Sequence, residues 1–134
     1  MATPFTISQA ELKRVADLAY DGQSYKLFLA NNDTGLGAED TAAAWLAKEL
    51  AVANGYAAVT GTLTGGAYDG TDARYEFHTV VGGFAATGAG FSYNTVVLRI
   101  GTEASVAGIF VVSPAVTLLA GQAKTYAVTL GSND

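Results

Sequence analysis

The sequence predicts a mainly β fold, a two-sheet antiparallel β-sandwich of about seven or eight strands with two short peripheral α-helices. Three apolar, β-branched runs follow one another near the end of the chain, at residues 95–100, 106–112 and 125–130. Earlier segments alternate apolar and polar residues with period two, as half-exposed strands do. Sixteen glycines against two prolines indicate many tight turns. The 134 residues suit a single domain over 1–134.

The beginning of the chain combines an apolar arm with a helix. Residues 1–7 carry no charged side chain, so we expect an extended N-terminal arm that is ordered only when it docks, ahead of a sandwich over 8–134. Ser8 stands three residues before Glu11, which is the spacing of a helix capping box. Apolar residues then recur at helical spacing and predict a helix over about 9–19, with Gly22 closing it.

The next stretch predicts the first strand, a loop and the second helix. Residues 25–30 become apolar throughout, as in a strand covered on both faces. Residues 31–41 are rich in Asn, Asp and Gly and indicate a loop. The second helix is expected over about 41–53, ended by Asn54 and Gly55, which both accept a positive φ.

Two alternating strands precede the apolar runs. Residues 56–64 place threonines on one face and predict a half-exposed strand with a threonine outer face. A glycine- and aspartate-rich loop ending near Asp72 leads to a second alternating strand over 74–81.

The three apolar runs predict a β-meander at the end of the chain. Arg99 marks the wetter face of the first run. The second run, 106–112, has no polar residue, which favours a central strand covered on both faces. Ser113 and Pro114 are expected to stop its ladder because proline cannot donate a hydrogen bond, and a short strand over 116–119 follows.

Charge and composition exclude several classes of partner. The net charge is −5, and the densest basic cluster is the pair Lys13 and Arg14, so we expect no nucleic acid partner. Only 14% of the residues are charged, which indicates that part of the surface faces protein. No secretory leader or long apolar span is visible, so we expect no membrane and a protein used in the cytosol or in a particle assembled there.

Catalytic and metal-binding motifs are missing from the sequence. His78 is the only histidine, it lies on an alternating strand, and no nucleophile elbow accompanies any serine, so we expect no enzyme. Two carboxylate-bearing loops, at residues 69–72 and 33–40, lack the spacing of a calcium loop. Ordinary turns are the preferred interpretation of both loops, and calcium binding is the alternative. With no cysteine and no phosphate loop, we expect no cofactor and no metal.

Aromatic residues are the remaining candidates for contacts. Seven tyrosines and Trp45 are interpreted as core or interface anchors, with a sugar-binding groove as the alternative. A charge-poor β-domain with an uncharged arm looks like a subunit completed by its neighbours. The predicted partner contacts are Pro4, Phe5, Ile7 and Trp45.

Several segments together resemble a known class of protein. They are a helix ending in LAYDG, a strand SYKLFLANN, the sequence NGYA opening a threonine-rich strand, ARYEF, and the closing GIFVVSP and AGQAKTYAVTL. Over roughly residues 12–130 this layout resembles small virion structural proteins of tailed bacteriophages.

The resemblance implies a fold and a function. Such proteins are typically β-sandwich or jelly-roll-like domains that serve as capsid cement or decoration subunits, or as tail, baseplate or fibre-associated components. A capsid cement subunit is the expected function, with a tail-associated structural or host-binding module as the alternative. The implied location is the virion, assembled in the host cytoplasm. The implied partners are the major capsid protein or tail proteins and further copies of the chain, with a trimer favoured.

Overall fold

The computed structural model describes residues 8–63, 67–69 and 74–133, and it confirms a mainly β fold built from two antiparallel sheets. One sheet has the strand order β2-β1-β5-β6 and the other β3-β4-β7. The elements are α1 Gln9–Tyr20, β1 Ser24–Ala30, α2 Ala42–Leu46, β2 Val59–Thr62, β3 Ala67–Asp69, β4 Arg74–Ala85, β5 Phe91–Ile100, β6 Gly108–Leu118 and β7 Ala123–Asn133.

The chain divides into two compact units. The larger unit comprises Ser24–Gly61 and Val81–Tyr126. The smaller unit holds the described residues among 1–23, 62–80 and 127–134. The single domain over 1–134 stays a prediction, and the arm at 1–7 lies outside the described residues.

The smaller unit contains α1, for which the sequence predicts about 9–19 and the structure gives Gln9–Tyr20. The Ser8 hydroxyl accepts a hydrogen bond from the Glu11 backbone N–H at 3.1 Å, the first half of a capping box. Gly22 has a φ of +80°, the left-handed conformation expected after the helix end, and its N–H donates to the Leu63 carbonyl at 2.9 Å.

The second predicted helix is wrong in its extent. Helix was expected over about 41–53, but α2 ends at Leu46. The following residues pair with the edge of β1 instead: Glu49 forms an antiparallel bridge with Ala30, and the Leu50 N–H donates to the Leu29 carbonyl at 3.1 Å. In this segment, backbone hydrogen bonds to β1 outweigh the local preference of the sequence for a helix.

The alternating segments form strands with shifted limits. In β2 the two threonines are exposed while Val59 and Gly61 are half-buried, so the threonine outer face is confirmed. The strand predicted over 74–81 extends to Ala85. β3 lies in a segment that the sequence suggested was loop, and it pairs with β4 through Tyr68 opposite Tyr75.

The centre of the larger unit is the antiparallel pair β1 and β5. Phe28 lies opposite Val97 and Leu29 opposite Val96. Every residue from Leu27 to Ala30 is fully buried, so the prediction of a strand covered on both faces is confirmed. Arg99 was predicted to mark the more solvent-exposed face of β5. On that face Thr95 and Val97 are buried, so the prediction is wrong over most of the strand.

One face of this central pair is covered by α2 and the loops beside it. The buried cluster on this face comprises Phe28, Ala30, Ala42, Trp45, Val97 and Val106, with Leu36 and Ile109 packed against it. The indole Nε1–H of Trp45 donates to the Gly37 carbonyl at 3.0 Å, so the ring is fixed at its polar atom too.

The predicted meander is wrong at two points. β6 is not a central strand but the edge of its sheet, and β7 belongs to the other sheet. Ser113 and Pro114, joined by a cis peptide bond, do not end the strand. Pairing with β5 stops at Val111 and resumes at Val116, so residues 112–115 form an irregularity within β6. A strand's place in a sheet depends on distant partners, which an apolar run does not encode.

Candidate functional site

The edge strand β6 carries two adjacent large apolar residues that are exposed in the larger unit. Phe110 keeps 58% of its surface exposed and Val111 61%, although they are neighbours in an entirely apolar run. β6 is the last strand in its sheet order, so its outer backbone edge has no strand beside it in the described chain. We call residues 108–112 of this edge the β6 edge.

The β6 edge presents apolar side chains on both faces of the sheet. Ile109 lies opposite Val97 and packs against the Trp45 cluster. Val111 shares the face of Ile109 by strand alternation, whereas Phe110, opposite Val96, points to the other face. An added strand would therefore find apolar contacts on both sides.

Phe110 is held in place by a row of aromatic rings. Its ring lies 6.2 Å from that of Tyr126, centroid to centroid, and Tyr126 lies 6.2 Å from Tyr93. The two tyrosine hydroxyls are 2.6 Å apart and share a hydrogen bond. The row continues through Phe91 and Tyr56 to Phe84. Phe110 thus packs on Tyr126 at the end of this row, while more than half of its surface stays exposed.

The β6 edge also lies in a stretch without charge. Every residue between Glu103 and Lys124 is uncharged, in a chain whose net charge is −5. Charged residues are depleted at the centres of protein interfaces, and exposed apolar edge strands are normally protected by charge. Residues 112–115 provide the one protective device on this strand, because an irregularity interrupts regular pairing there.

Two of the carboxylates suggested as calcium ligands have partners within the chain. Asp33 pairs with Lys48 at 2.7 Å, and the lysine holds the pKa of Asp33 below its usual range. Asp40 accepts a hydrogen bond from the Gly37 N–H at 2.7 Å. Within residues 8–63, 67–69 and 74–133, no three acidic or histidine side chains converge. In the other loop, residues 70–73 lie outside the described residues.

One partly buried polar network supports the fold. Glu49 accepts hydrogen bonds from the Lys26 ammonium and the Tyr56 hydroxyl, both at 2.7 Å. The same hydroxyl accepts from the Leu29 N–H at 3.2 Å. Burial, and then the Glu49 hydrogen bond, raise the pKa of Tyr56 well above its ordinary value. All three side chains have partners within the chain, so this network is a structural support for β1.

The predicted contact residues fare differently. Pro4, Phe5 and Ile7 lie outside the described residues. Trp45 is fully buried in the larger unit, so it is a core residue there and has no exposed surface for the predicted partner contact. Helical spacing had placed it on a longer surface helix, whereas the short α2 points it into the core.

Two of the tyrosine candidates are core residues. Tyr56 and Tyr93 are buried, which agrees with core anchoring. The side chain of His78 lies outside what the structure describes. The sequence reasoning missed the β6 edge, although one signal was available: a proline inside an apolar strand is typical of an edge strand.

Comparisons with known proteins do not assign this chain to a family. No protein-family model, curated protein or solved structure matches this chain. In the part of the chain that the structure covers, no helix is both long and apolar enough to cross a bilayer.

Proposed function

We propose that the protein is a non-enzymatic structural subunit of a virion, a capsid cement or decoration protein that stabilises the particle through subunit contacts. The observation that carries this proposal is the β6 edge: Phe110 and Val111 are exposed on opposite faces of an uncharged strand whose outer edge has no strand beside it in the described chain. Exposed apolar strands of this kind occur where another protein covers them.

The proposed mechanism is mechanical. A neighbouring subunit supplies a strand whose backbone hydrogen-bonds to the β6 edge, while its side chains extend both apolar faces. A standard interface excludes water over about 1,600 Å², and β6 would supply the centre of such a contact. Resistance of the particle to separation then comes from the area buried between subunits.

The partners and the fold follow from the same proposal. The partners are other virion proteins, the major capsid protein in the first place, and further copies of the chain. The location is the virion, assembled in the host cytoplasm. The finer fold is proposed to be a jelly-roll-like sandwich, supported by the two antiparallel sheets and tested by an experimental structure.

The experiment is to locate the protein in purified particles by mass spectrometry and to count its copies. The proposal expects hundreds of copies. A low number in multiples of three or six would assign it to the tail instead, and absence from particles would refute a virion role.

A pair of valine variants tests whether the β6 edge makes the contact. Val111→Lys places a charge on the edge, and Val81→Lys places the same charge at a position that is 56% exposed, close to the 61% of Val111. The proposal expects reduced particle occupancy for Val111→Lys and normal occupancy for Val81→Lys. Equal occupancy of both variants would contradict the assigned surface.

The predicted role of the N-terminal arm has its own test. Deleting residues 1–7 is expected to lower particle occupancy, because the arm is uncharged and contains Pro4, Phe5 and Ile7 as proposed contacts. Unchanged occupancy of the truncated protein would remove the arm from the proposal while leaving the β6 edge in it.

A further inference from the structure

We infer that the occupant of the β6 edge is the β6 edge of a second copy of the chain, paired antiparallel about a two-fold axis with Phe110 opposite Phe110 of the other copy. This inference rests on the proposed function in that it names the partner of the same surface. It replaces the trimer implied by the resemblance with a pair of copies.

The backbone determines the chemistry of the occupant. An edge strand presents a row of N–H and C=O groups that only another extended backbone can pair along its length. A side chain, a small ligand or a helix would leave those groups to water. The occupant is therefore a strand of a protein.

Symmetry and the faces of the sheet determine the register. Antiparallel pairing of two identical strands in one continuous sheet requires a two-fold axis perpendicular to the sheet, which keeps each side chain on its own face. Directly opposed residues must then share a face, so residue numbers separated by an even number pair. Centring the axis on Phe110 places Ile109 of one copy opposite Val111 of the other.

This register joins apolar groups on both faces. The two Phe110 rings meet on the face where each is supported by Tyr126. On the other face Val111 meets Ile109, which continues the Trp45 cluster across the axis. The alternation in β6 thus makes its edge complementary to itself.

Charge favours a second copy as the occupant. Two chains of net charge −5 repel each other in general, and they approach most easily where neither carries charge. The 20 residues between Glu103 and Lys124 carry no charge, and the β6 edge lies within them. A basic partner would gain nothing there, because no carboxylate is present on the edge.

The size of the contact sets its strength. Regular pairing is confined to about four residues, 108–111, because the irregularity at 112–115 follows. An exposed phenylalanine at 58% contributes on the order of 100 Å² per copy. The contact between the two β6 edges alone falls below the ~1,200 Å² of stable complexes, so free copies pair weakly and pairing is completed at the high local concentration of an assembly.

The test uses the absence of cysteine from the chain, since any disulfide must then come from an introduced residue. Single variants Phe110→Cys, Val111→Cys and Leu119→Cys have similarly exposed positions, at 58%, 61% and 56%. Directly opposed residues have Cα atoms about 4.5 to 5.5 Å apart, within the range of a disulfide. In the inferred register the two copies of residue 111 are offset by two positions and lie about 7 to 8 Å apart, which is too far.

Under mild oxidation of concentrated protein, Phe110→Cys is expected to cross-link into dimers at least about tenfold faster than Leu119→Cys, because pairing raises the effective concentration of the thiols. Val111→Cys is expected to match Leu119→Cys. Fast cross-linking at position 111 would overturn the register, and equal rates for all three variants would overturn the pairing of copies.

The outcomes separate this inference from the proposed function. Equal cross-linking rates together with low particle occupancy of Val111→Lys would refute the second copy as partner and keep a contact to another virion protein. Fast cross-linking of Phe110→Cys in a protein that is absent from particles would support the paired copies and refute the virion role.

Discussion

Replacing Trp45 distinguishes a core residue from a contact residue. The indole is fully buried, packs with Phe28, Val97 and Val106, and donates to the Gly37 carbonyl at 3.0 Å. Trp45→Ala removes this packing at about 3 to 5 kcal/mol and leaves the Gly37 carbonyl without its donor at roughly 1 kcal/mol more. Because small domains are stable by only ~5 to 15 kcal/mol, the variant is expected to lose a large part of its stability or to unfold.

The matched variant keeps the measurement possible if Trp45→Ala does not fold. Trp45→Phe retains an aromatic ring and loses the indole N–H, so a smaller loss of about 1 to 3 kcal/mol is expected. Urea unfolding followed by far-ultraviolet circular dichroism measures both free energies of unfolding, since the variants lack the tryptophan needed for fluorescence.

The native protein provides an independent check. Trp45 is the only tryptophan, so its fluorescence reports this site alone. Its emission is expected at the short wavelengths of an apolar environment and should move to longer wavelengths on unfolding. A Trp45→Ala variant that loses less than ~0.5 kcal/mol, the size of an ordinary surface substitution, would refute the burial and restore the contact role.

Two further predictions concern a titration and a turn. Burial and Glu49 raise the pKa of Tyr56, so the contribution of its hydroxyl to stability is present below pH ~10 and is lost as the pH rises further. Tyr56→Phe is therefore expected to lower the urea midpoint at pH 8. The midpoint of this variant is also expected to fall less between pH 8 and 11 than that of the native protein. An unchanged alkaline slope would contradict the assignment to Tyr56. Gly90 and Gly121 both have a positive φ, but only at Gly90 would an added Cβ lie 2.1 Å from the Leu118 carbonyl oxygen. Gly90→Ala is therefore expected to lower the free energy of unfolding by about 1 to 3 kcal/mol more than Gly121→Ala. Equal losses of stability in the two alanine variants would contradict that close approach.

The sequence was informative where local pattern and burial agree. β1 was predicted because a continuous apolar run is typical of a strand buried on both faces, and Leu27 to Ala30 are buried as expected. The threonine face of β2 follows equally from alternation. The loop at 31–41 was predicted from its composition, and turn-forming hydrogen bonds such as that from Gly37 to Asp40 explain why.

The predictions were wrong where contacts with residues far away in the sequence determine the structure. Residues 47–53 have a helical pattern, yet Glu49 and Leu50 hydrogen-bond to or bridge with β1. Asn94 exchanges two hydrogen bonds with the backbone of Asn32, 62 residues away, and no local signal encodes such a pair. The apolar run of β6 does not by itself distinguish a central strand from an edge strand, and the only local signal for the edge is Pro114.

The irregularity at 112–115 has a consequence for how an assembly ends. Chains that stack strand on strand through two open edges grow without limit, as fibrils do. In the inferred pair of copies, a single symmetric contact would use up the β6 edge, and regular pairing with β5 itself does not run past residue 111. The opposite edge of the sheet is β2, only four residues long, with a central glycine and exposed threonines. If the copies pair as inferred, growth of the sheet would therefore stop at two copies and leave a closed unit.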